Sequence, residues 1–169
     1  DVDQFLKATA QYPTDHPIIR EAFSNMKIRG PVHEYILAYV SNILEDDYNA
    51  NTSNVVEILN NKKGDCTEHS ILFITLARLA GIPAREVSGF VYNDDSEQPG
   101  LAPHAWAEIA LDGYWVAVDP TWGEFVVNPT HIKIAASTVM PDWNVQVFDV
   151  SYYSESQDMA DDAYERNEY

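Results

Sequence analysis

Apolar side chains recur with the spacing of an α-helix through the first half of the chain. This spacing predicts four helices, at residues 17–25, 32–45, 53–59 and 66–80. Asp15 and Pro17 are typical of the start of the first helix, and Gly81 followed by Pro83 is typical of the end of the fourth. The broadest apolar stripe belongs to the second helix and consists of Ile36, Leu37, Tyr39, Val40, Ile43 and Leu44.

The period changes from 3.6 residues to 2 in the second half of the chain, which predicts strands instead of helices. We expect strands at residues 85–92, 104–111, 114–119 and 146–153, with a loop at residues 93–103. The dipeptide Asp112-Gly113 predicts a two-residue hairpin turn between the second and third of these strands. Helices followed by antiparallel strands indicate an α+β domain.

The length of 169 residues predicts a single domain at residues 1–153, followed by an acidic tail at residues 154–169. Within the domain we expect N-terminal helices at residues 15–60, a core at residues 61–125 that carries the chemistry, and a C-terminal strand region at residues 140–153. This division follows the change in hydrophobic period and the concentration of acidic residues near the end of the chain.

The net charge of −17 excludes classes of partner that carry dense negative charge. Nucleic acids and anionic lipid surfaces need a basic footprint, which this chain lacks. No run of about 18 apolar residues suggests insertion into a membrane. The first residue is Asp and no signal peptide is present, so we expect a mature, exported form or a domain excised from a larger chain, and the compartment is left open. The oligomeric state is left open.

The single cysteine, Cys66, lies at the predicted start of the fourth helix. Asp65 and Glu68 have the spacing of a capping box, which would place Cys66 in the first turn. There the helix dipole favours a thiolate, and free backbone N–H groups can hold an oxyanion. The alternative is a small buried thiol without a chemical role. We expect the Asp65 side chain to turn toward the backbone N–H groups, because a neighbouring carboxylate disfavours a thiolate.

The hairpin predicts that His104 and Asp119 are neighbours. A two-residue turn at Asp112-Gly113 pairs Trp106 with Asp119 and His104 with Thr121, so His104 and Asp119 become diagonal neighbours on one face. Diagonal Cβ atoms lie roughly 7 Å apart. Asp119 could then accept a hydrogen bond from His104, which leaves the other ring nitrogen for Cys66. The alternatives are a packed histidine and an aspartate that forms a turn before Pro120.

Trp106 and Glu108 lie on the same predicted face as His104. We interpret Trp106 as a hydrophobic shield over the bond between His104 and Asp119, with core packing as an equal alternative, and we also name it as a candidate substrate-binding residue. For Glu108 we expect a structural ion pair, with an arginine as its partner.

Other polar residues are weaker candidates for chemistry. His69, three residues after Cys66, is a rival base, but with a single cysteine and scattered histidines the sequence predicts no metal site and no cofactor. Acidic residues at positions 94, 95 and 97 do not have the spacing of a calcium-binding EF-hand loop. No signature of a partner accompanies the other histidines, which are His16, His33 and His131. Candidates for a second oxyanion donor lie in the loop before the fourth helix, and they are Tyr48, Asn51 and Asn54.

Three motifs together resemble the core domain of the transglutaminase-like superfamily of cysteine peptidases and acyltransferases. They are KGDCTEH at residues 63–69, HAWAE at residues 104–108 and VDPT at residues 118–121, and the resemblance covers residues 55–121. It implies a papain-like transglutaminase fold in which the nucleophile helix packs on an antiparallel sheet. It also implies the roles of nucleophile, base and orienting acid for Cys66, His104 and Asp119.

The resemblance further implies a reaction class. A thiolate would attack a carboxamide or peptide carbonyl of a protein or peptide substrate and form a thioester, which water or an amine would then resolve. Bacterial members of the family are often described as cysteine peptidases, so hydrolysis is favoured over acyl transfer. Arylamine acetyl transfer is disfavoured, because its Arg-Gly-Gly-x-Cys signature is absent. The alternative from another class is a non-catalytic peptide-binding or scaffolding domain on the same fold.

Overall fold

The computed structural model describes residues 2–93 and 99–136 of the chain. The strand expected at residues 146–153 and the acidic tail expected at residues 154–169 lie outside the described residues, so both stay predictions.

All four helices expected from the sequence are present, with bounds that differ by at most two residues. They are α1 (Pro17–Ser24), α2 (Val32–Ile43), α3 (Val55–Asn61) and α4 (Cys66–Leu79), and a short 3-10 helix, Val2–Leu6, precedes them. The N-cap of α1 is His16, where Asp15 was expected to begin the helix, because the His16 ring accepts a hydrogen bond from the amide of Ile18 at 3.3 Å. The N-cap of α3 is Asn54, whose side chain accepts a hydrogen bond from the Val56 amide.

The strands form two sheets. A small parallel pair joins β1 (Glu45–Asp46) to β2 (Lys63–Gly64). The main sheet has five antiparallel strands in the order β6-β5-β4-β3-β7. Its strands are β3 (Ala84–Asn93), β4 (Gly100–Leu111), β5 (Tyr114–Asp119), β6 (Glu124–Phe125) and β7 (His131–Ala135).

Helix α4 is the centre of the core. It packs against β3 and β4 of the main sheet and against α1, α2 and α3. Every residue from Glu68 to Arg78 is buried, so the whole circumference of the helix is covered. The helix ends at Leu79 with Ala80 as its C-cap, and the next residue, Gly81, has a φ of +80°, the left-handed conformation expected there. The start of α4 is therefore held in place by packing along the entire helix.

The hairpin of β4 and β5 has the register that the sequence predicts. Asp112 and Gly113 have φ angles of +50° and +85°, as a two-residue hairpin turn requires. The pairing of Leu111 with Tyr114 continues to Ala107 with Val118 without a bulge. Side chains on the two strands therefore alternate in step up to Ala107 and Val118, and Asp119 follows directly after the last pair.

The loop expected at residues 93–103 is wrong in its second half, because β4 begins at Gly100. Gly100 and Pro103 are residues that usually end strands. Here, however, β4 pairs with β3 without interruption from Asn93 opposite Gly100 to Ala84 opposite Ile109. The hydrogen bonds of this long hairpin outweigh the low strand propensity of the two residues.

Strands β6 and β7 were not expected from the sequence. β7 pairs with β3, and the register between them shifts between Ser88 and Gly89. A Cβ atom on Gly89 would lie 2.1 Å from the carbonyl oxygen of Ile132 and 2.8 Å from the Trp106 ring. Because Gly89 has no side chain, the β7 backbone and the Trp106 ring can lie close to β3 at this position. In the described part of the chain, no helix has the length and apolar character needed to cross a membrane.

Candidate active site

Cys66 is the first residue of α4, and the predicted capping box is present. The Asp65 carboxylate accepts a hydrogen bond from the Thr67 amide at 2.7 Å and also caps the Glu68 amide, while Glu68 accepts from the Asp65 amide at 2.9 Å. The Asp65 side chain therefore turns toward the backbone, as expected, and its negative charge is spread over N–H groups.

The caps leave the amide of Cys66 itself uncommitted. Among the described residues it donates no hydrogen bond, and a first-turn amide has no partner within its own helix. The thiol is half-buried and thus accessible. An oxyanion formed on an acyl group attached to Cys66 would lie next to this N–H and the positive end of the helix dipole.

His104 and Asp119 form a buried hydrogen bond across the hairpin. The distance from His104 Nε2 to Asp119 Oδ2 is 2.7 Å, and the side chains are 6% and 0% exposed. This contact commits Nε2 of His104 and leaves Nδ1 as the ring nitrogen that can face Cys66, which lies close enough to raise the pKa of His104. The structure thus brings together Cys66, His104 and Asp119, the three residues that the sequence singled out.

The ionisation of the pair follows from these contacts. Burial alone would lower the pKa of His104, but hydrogen bonds and charge interactions with Asp119 and Cys66 raise that pKa from 6.5 to about 9. Burial alone would raise the pKa of Asp119, but hydrogen bonds from His104, His131 and the Thr121 amide hold it below its ordinary value. Near neutral pH the pair is therefore an imidazolium next to a carboxylate.

His131 is a part of this site that the sequence analysis missed. Its Nε2 lies 3.0 Å from Asp119 Oδ2, and its side chain is 1% exposed. The expectation that His131 has no partner is therefore wrong. Twelve residues separate His131 from Asp119, and β7 approaches the site from the far edge of the sheet. The only local signal is a histidine at the start of a short alternating run, which is weak by itself.

Aromatic rings surround the hydrogen bond between His104 and Asp119. The Trp122 ring stacks on His104 with centroids 4.5 Å apart, and Trp106 lies at 6.1 Å. Trp106 is 1% exposed, and its ring meets that of His131 edge to face at 5.2 Å. This burial agrees with both interpretations of Trp106, as a shield over the bond and as part of the packed core. Its role in substrate binding stays a prediction.

The site also contains three groups that could in principle hold a metal ion. His104, Asp119 and His131 each offer one ligand atom, and these atoms lie within 4.8 Å of one another. The sequence predicts no metal site, because these three residues are scattered along the chain and meet only in the fold. The two imidazole nitrogens lie at hydrogen-bond distance from a single carboxylate oxygen, which accounts for the cluster without an ion.

A cleft of about 630 Å³ opens at Cys66 and His104. Of the three residues considered as second oxyanion donors, Tyr48 lines this cleft and is 87% exposed, whereas the Asn54 side chain caps α3. The other residues that line the cleft are Asp46, Asp65, Val91, Tyr92, Asn93, Ala102, Pro103, Thr121, Trp122, Asn128 and Thr130.

Glu68 connects the wall of the cleft to α4. Besides its bond to the Asp65 amide, its second carboxylate oxygen accepts from the Thr52 amide at 3.0 Å. Thr52 belongs to the loop that carries Tyr48, between β1 and α3. One buried carboxylate thus fixes both the start of the helix and the adjacent loop.

The remaining polar candidates have structural partners. Glu108 forms the expected ion pair with an arginine, Arg85, at 2.7 Å and also contacts Lys133. His69 is 1% exposed, and its Nδ1 lies 2.7 Å from the Asp65 carbonyl oxygen. This contact uses one ring nitrogen of His69 to hold the first turn of α4.

The fold and the geometry define a class of α+β protein in which a cysteine at the start of a buried helix faces a histidine and an acid on an antiparallel sheet, as in papain-like thiol enzymes. Residues 28–120, more than half of the chain, match the family described as the transglutaminase-like superfamily. The chain therefore belongs to this superfamily, and the membership supports a thiol-based catalytic role.

Two curated relatives illustrate the similarity. Mouse kyphoscoliosis peptidase is 35% identical over 81 residues, which cover 46% of this chain and 12% of that protein. An uncharacterised protein from Haemophilus influenzae is 31% identical over 150 residues, which cover 70% of this chain and 40% of that protein. The chain thus spans less than half the length of these relatives.

Solved structures show the same fold. A candidate cysteine protease from Cytophaga hutchinsonii superposes with a TM-score of 0.62 at 24% identity, over 80% of this chain and 46% of that one. The periplasmic domain of TgpA from Pseudomonas aeruginosa superposes with a TM-score of 0.53 at 21% identity, over 72% of this chain and 47% of that one. These likenesses confirm the papain-like transglutaminase fold that the motifs predicted.

Proposed function

We propose that Cys66, His104 and Asp119 form a catalytic triad that breaks a carboxamide or peptide bond through a thioester on Cys66. The observation that carries the proposal is the buried hydrogen bond between His104 and Asp119 beside the half-buried Cys66 thiol, where Cys66 and His104 line one cleft.

In the first half-reaction, Cys66 has given its proton to His104, whose pKa of about 9 keeps the imidazole protonated near pH 7. The sulfur attacks the carbonyl carbon, and the carbonyl electron pair moves to the oxygen. The Cys66 amide and the start of α4 stabilise this oxyanion. The intermediate then collapses, His104 donates its proton to the leaving amine, and a thioester remains.

In the second half-reaction, neutral His104 takes a proton from the acceptor, which attacks the thioester carbon. Water as acceptor releases a carboxylic acid, and an amine releases a new amide. In both cases the sulfur leaves as the thiolate and the imidazolium is restored. We favour water as the acceptor, because similar proteins include one named a peptidase and one described as a cysteine protease. We propose a protein or peptide as the substrate.

The reactivity of Cys66 tests the proposal. Chloroacetamide labelling, followed by mass spectrometry, should proceed faster than labelling of free cysteine at pH 6, where a free thiol is almost fully protonated. His104→Ala should slow labelling at least tenfold. His33→Ala is the matched control, since His33 stacks on Phe125 outside the triad. An inert thiol in the folded protein would favour a peptide-binding domain instead.

A second measurement separates the two acceptors. The protein is incubated with a peptide library and a labelled primary amine, and the products are read by mass spectrometry. Cleaved or deamidated peptides without label indicate hydrolysis, whereas label on glutamine side chains or new C-termini indicates transfer. A library left intact by the wild-type protein, at concentrations where Cys66 reacts quickly with chloroacetamide, would contradict the choice of peptide substrates.

An exported location of the full protein is a further proposal, since one protein with the same fold is a periplasmic domain. Fractionation of cells that express the complete chain, with antibody detection, would test it. Recovery with the cytoplasmic markers would contradict it.

A further inference from the structure

We infer that His131 is a positioning residue, whose Nε2–H group holds the Asp119 carboxylate in the orientation that pairs with His104. The inference rests on the proposed function of Cys66, because it concerns how the same site is aligned. The His131 side chain is 1% exposed and does not line the cleft at Cys66 and His104. It would therefore act through Asp119.

The proton on His131 can be assigned from its surroundings. Its Nε2 lies 3.0 Å from Asp119 Oδ2, whereas its Nδ1 is buried and has no hydrogen-bond partner among the described residues. A carboxylate can only accept, so Nε2 carries a proton. A second proton on Nδ1 would be a buried donor without a partner, which is unfavourable. These contacts indicate the neutral tautomer protonated at Nε2.

With this assignment, Asp119 accepts three hydrogen bonds from three parts of the chain. His104 on β4 and His131 on β7 both donate to Oδ2, and the Thr121 amide donates to Oδ1 at 2.8 Å. The torsion that rotates a carboxylate is broad and soft. Donors on both oxygens stop this rotation and keep the Oδ2 lone pairs directed at the two rings. The ionisable groups that face Asp119 are thus His104 and His131, with Cys66 on α4 beyond His104.

His131 is itself held firmly. Its backbone pairs with Val91 on β3, and its ring makes edge-to-face contacts with Trp106 at 5.2 Å and Trp122 at 5.7 Å. The ring also meets that of His104 at 5.6 Å. A donor fixed in this way holds the Asp119 carboxylate in one orientation relative to the edge of the sheet.

Two substitutions separate a hydrogen-bonding role from packing. His131→Leu removes the donor and keeps an apolar side chain of intermediate size. His131→Gln keeps an N–H group at a similar distance from the backbone. His33→Leu is the matched control, because His33 also packs against an aromatic ring and makes no hydrogen bond or ion pair with a carboxylate among the described residues. Far-ultraviolet circular dichroism and urea titration establish that each variant is folded.

We expect His131→Leu to slow chloroacetamide labelling of Cys66 about tenfold to a hundredfold at pH 7, by analogy with the loss caused by removing a residue that orients a metal-binding side chain. The alkaline limb of the pH–rate profile should move toward the pKa of free histidine, because Asp119 is no longer held against the imidazolium. His131→Gln should recover most of the rate, and His33→Leu should leave both rate and profile unchanged.

Long-range ¹H–¹⁵N NMR of the histidine rings provides an arm that does not depend on Cys66. In the wild-type protein, His131 should be protonated at Nε2 only, and the Nε2–H signal of His104 should move upfield in His131→Leu but not in His131→Gln. A proton on Nδ1 of wild-type His131 would overturn the assignment, even if His131→Leu does not fold.

The outcomes distinguish failure of this inference from failure of the proposed function. Equal labelling of His131→Leu and wild type overturns the positioning role, as does equal slowing of the Leu and Gln variants with an unchanged His104 signal. If wild-type Cys66 is inert or independent of His104, the proposed function fails, while the NMR signals still decide whether His131 orients Asp119.

Discussion

Replacement of Asp119 by asparagine tests the electrostatic core of the site with almost no change in shape. Asp119 is fully buried and accepts three hydrogen bonds, two at Oδ2 and one at Oδ1. Asparagine offers one oxygen and one NH₂ group. Whichever way it turns, an NH₂ group meets at least one N–H donor, either the Thr121 amide or the two imidazoles. The substitution therefore removes the negative charge and also places the NH₂ group opposite another hydrogen-bond donor.

The magnitude follows from the pKa of His104. Asp119 and Cys66 together raise that pKa from 6.5 to about 9, against the opposing effect of burial. A difference of this size corresponds to a factor of roughly 300 in the stability of the imidazolium, or about 3 kcal/mol. Asp119 supplies a large part of it. If the NH₂ group faces His104, the ring must also adopt the other tautomer, with its proton directed at Cys66, and it can no longer act as a base.

We therefore expect Asp119→Asn to lower the rate constant for chloroacetamide labelling of Cys66 by about 10²-fold to 10³-fold at pH 7. The rate is measured by mass spectrometry of the intact protein between pH 5 and 10. The plateau of the wild-type profile should be lost, and the variant should react as an ordinary thiol whose rate rises with pH. Urea titration checks that the variant is folded.

A folded Asp119→Asn variant that labels within threefold of wild type, with the same profile, would refute this reasoning. It would mean that the carboxylate does not control the charge of His104. An unchanged rate in His104→Ala as well would locate the error in the whole triad instead of in Asp119 alone.

Two further predictions concern the frame of the site. Gly89→Ala should destabilise the protein by about 1–3 kcal/mol in urea titration, since the added Cβ would meet the Ile132 carbonyl oxygen at 2.1 Å; an unchanged midpoint would show that β7 does not need this close approach. The raised pKa of His104 adds stability that is fully present below pH 6.5 and is lost as the pH rises through about 9. The free energy of unfolding of wild type should therefore fall between pH 7 and 10 more steeply than that of His104→Ala, and parallel curves would contradict the shifted pKa.

The parts of the site that could be predicted from sequence are those set by local rules. A two-residue turn fixes the register of a hairpin, so the neighbourhood of His104 and Asp119 followed from the position of Asp112-Gly113. The capping box in the same way fixed Cys66 at the start of α4. Both rules act over fewer than twenty residues, and no distant contact overrides them.

The parts that were missed depend on contacts between strands that are not consecutive. The position of β7 beside β3 at the sheet edge cannot be derived from hydrophobic spacing, since a five-residue run is compatible with several places in the fold. The close approach of β7 to Gly89 could not be predicted from the sequence either, because an isolated glycine in a strand has several explanations. His131 was overlooked for this reason, although its residue type was suitable.

The position of His131 has a consequence for how the site and the fold depend on each other. An ionised carboxylate that is 0% exposed costs several kcal/mol in lost hydration, and hydrogen bonds must offset that cost. The residues that match the family end at 120, before two of the three donors to Asp119, which are Thr121 and His131. The segment with the three recognisable motifs ends at Thr121, so it contains the reacting groups but lacks His131, one of the three donors that stabilise the buried acid. When β7 lies beside β3, His131 donates a hydrogen bond to the Asp119 carboxylate, and the same bond helps to hold β7 on the sheet. We therefore regard this edge strand as part of the site.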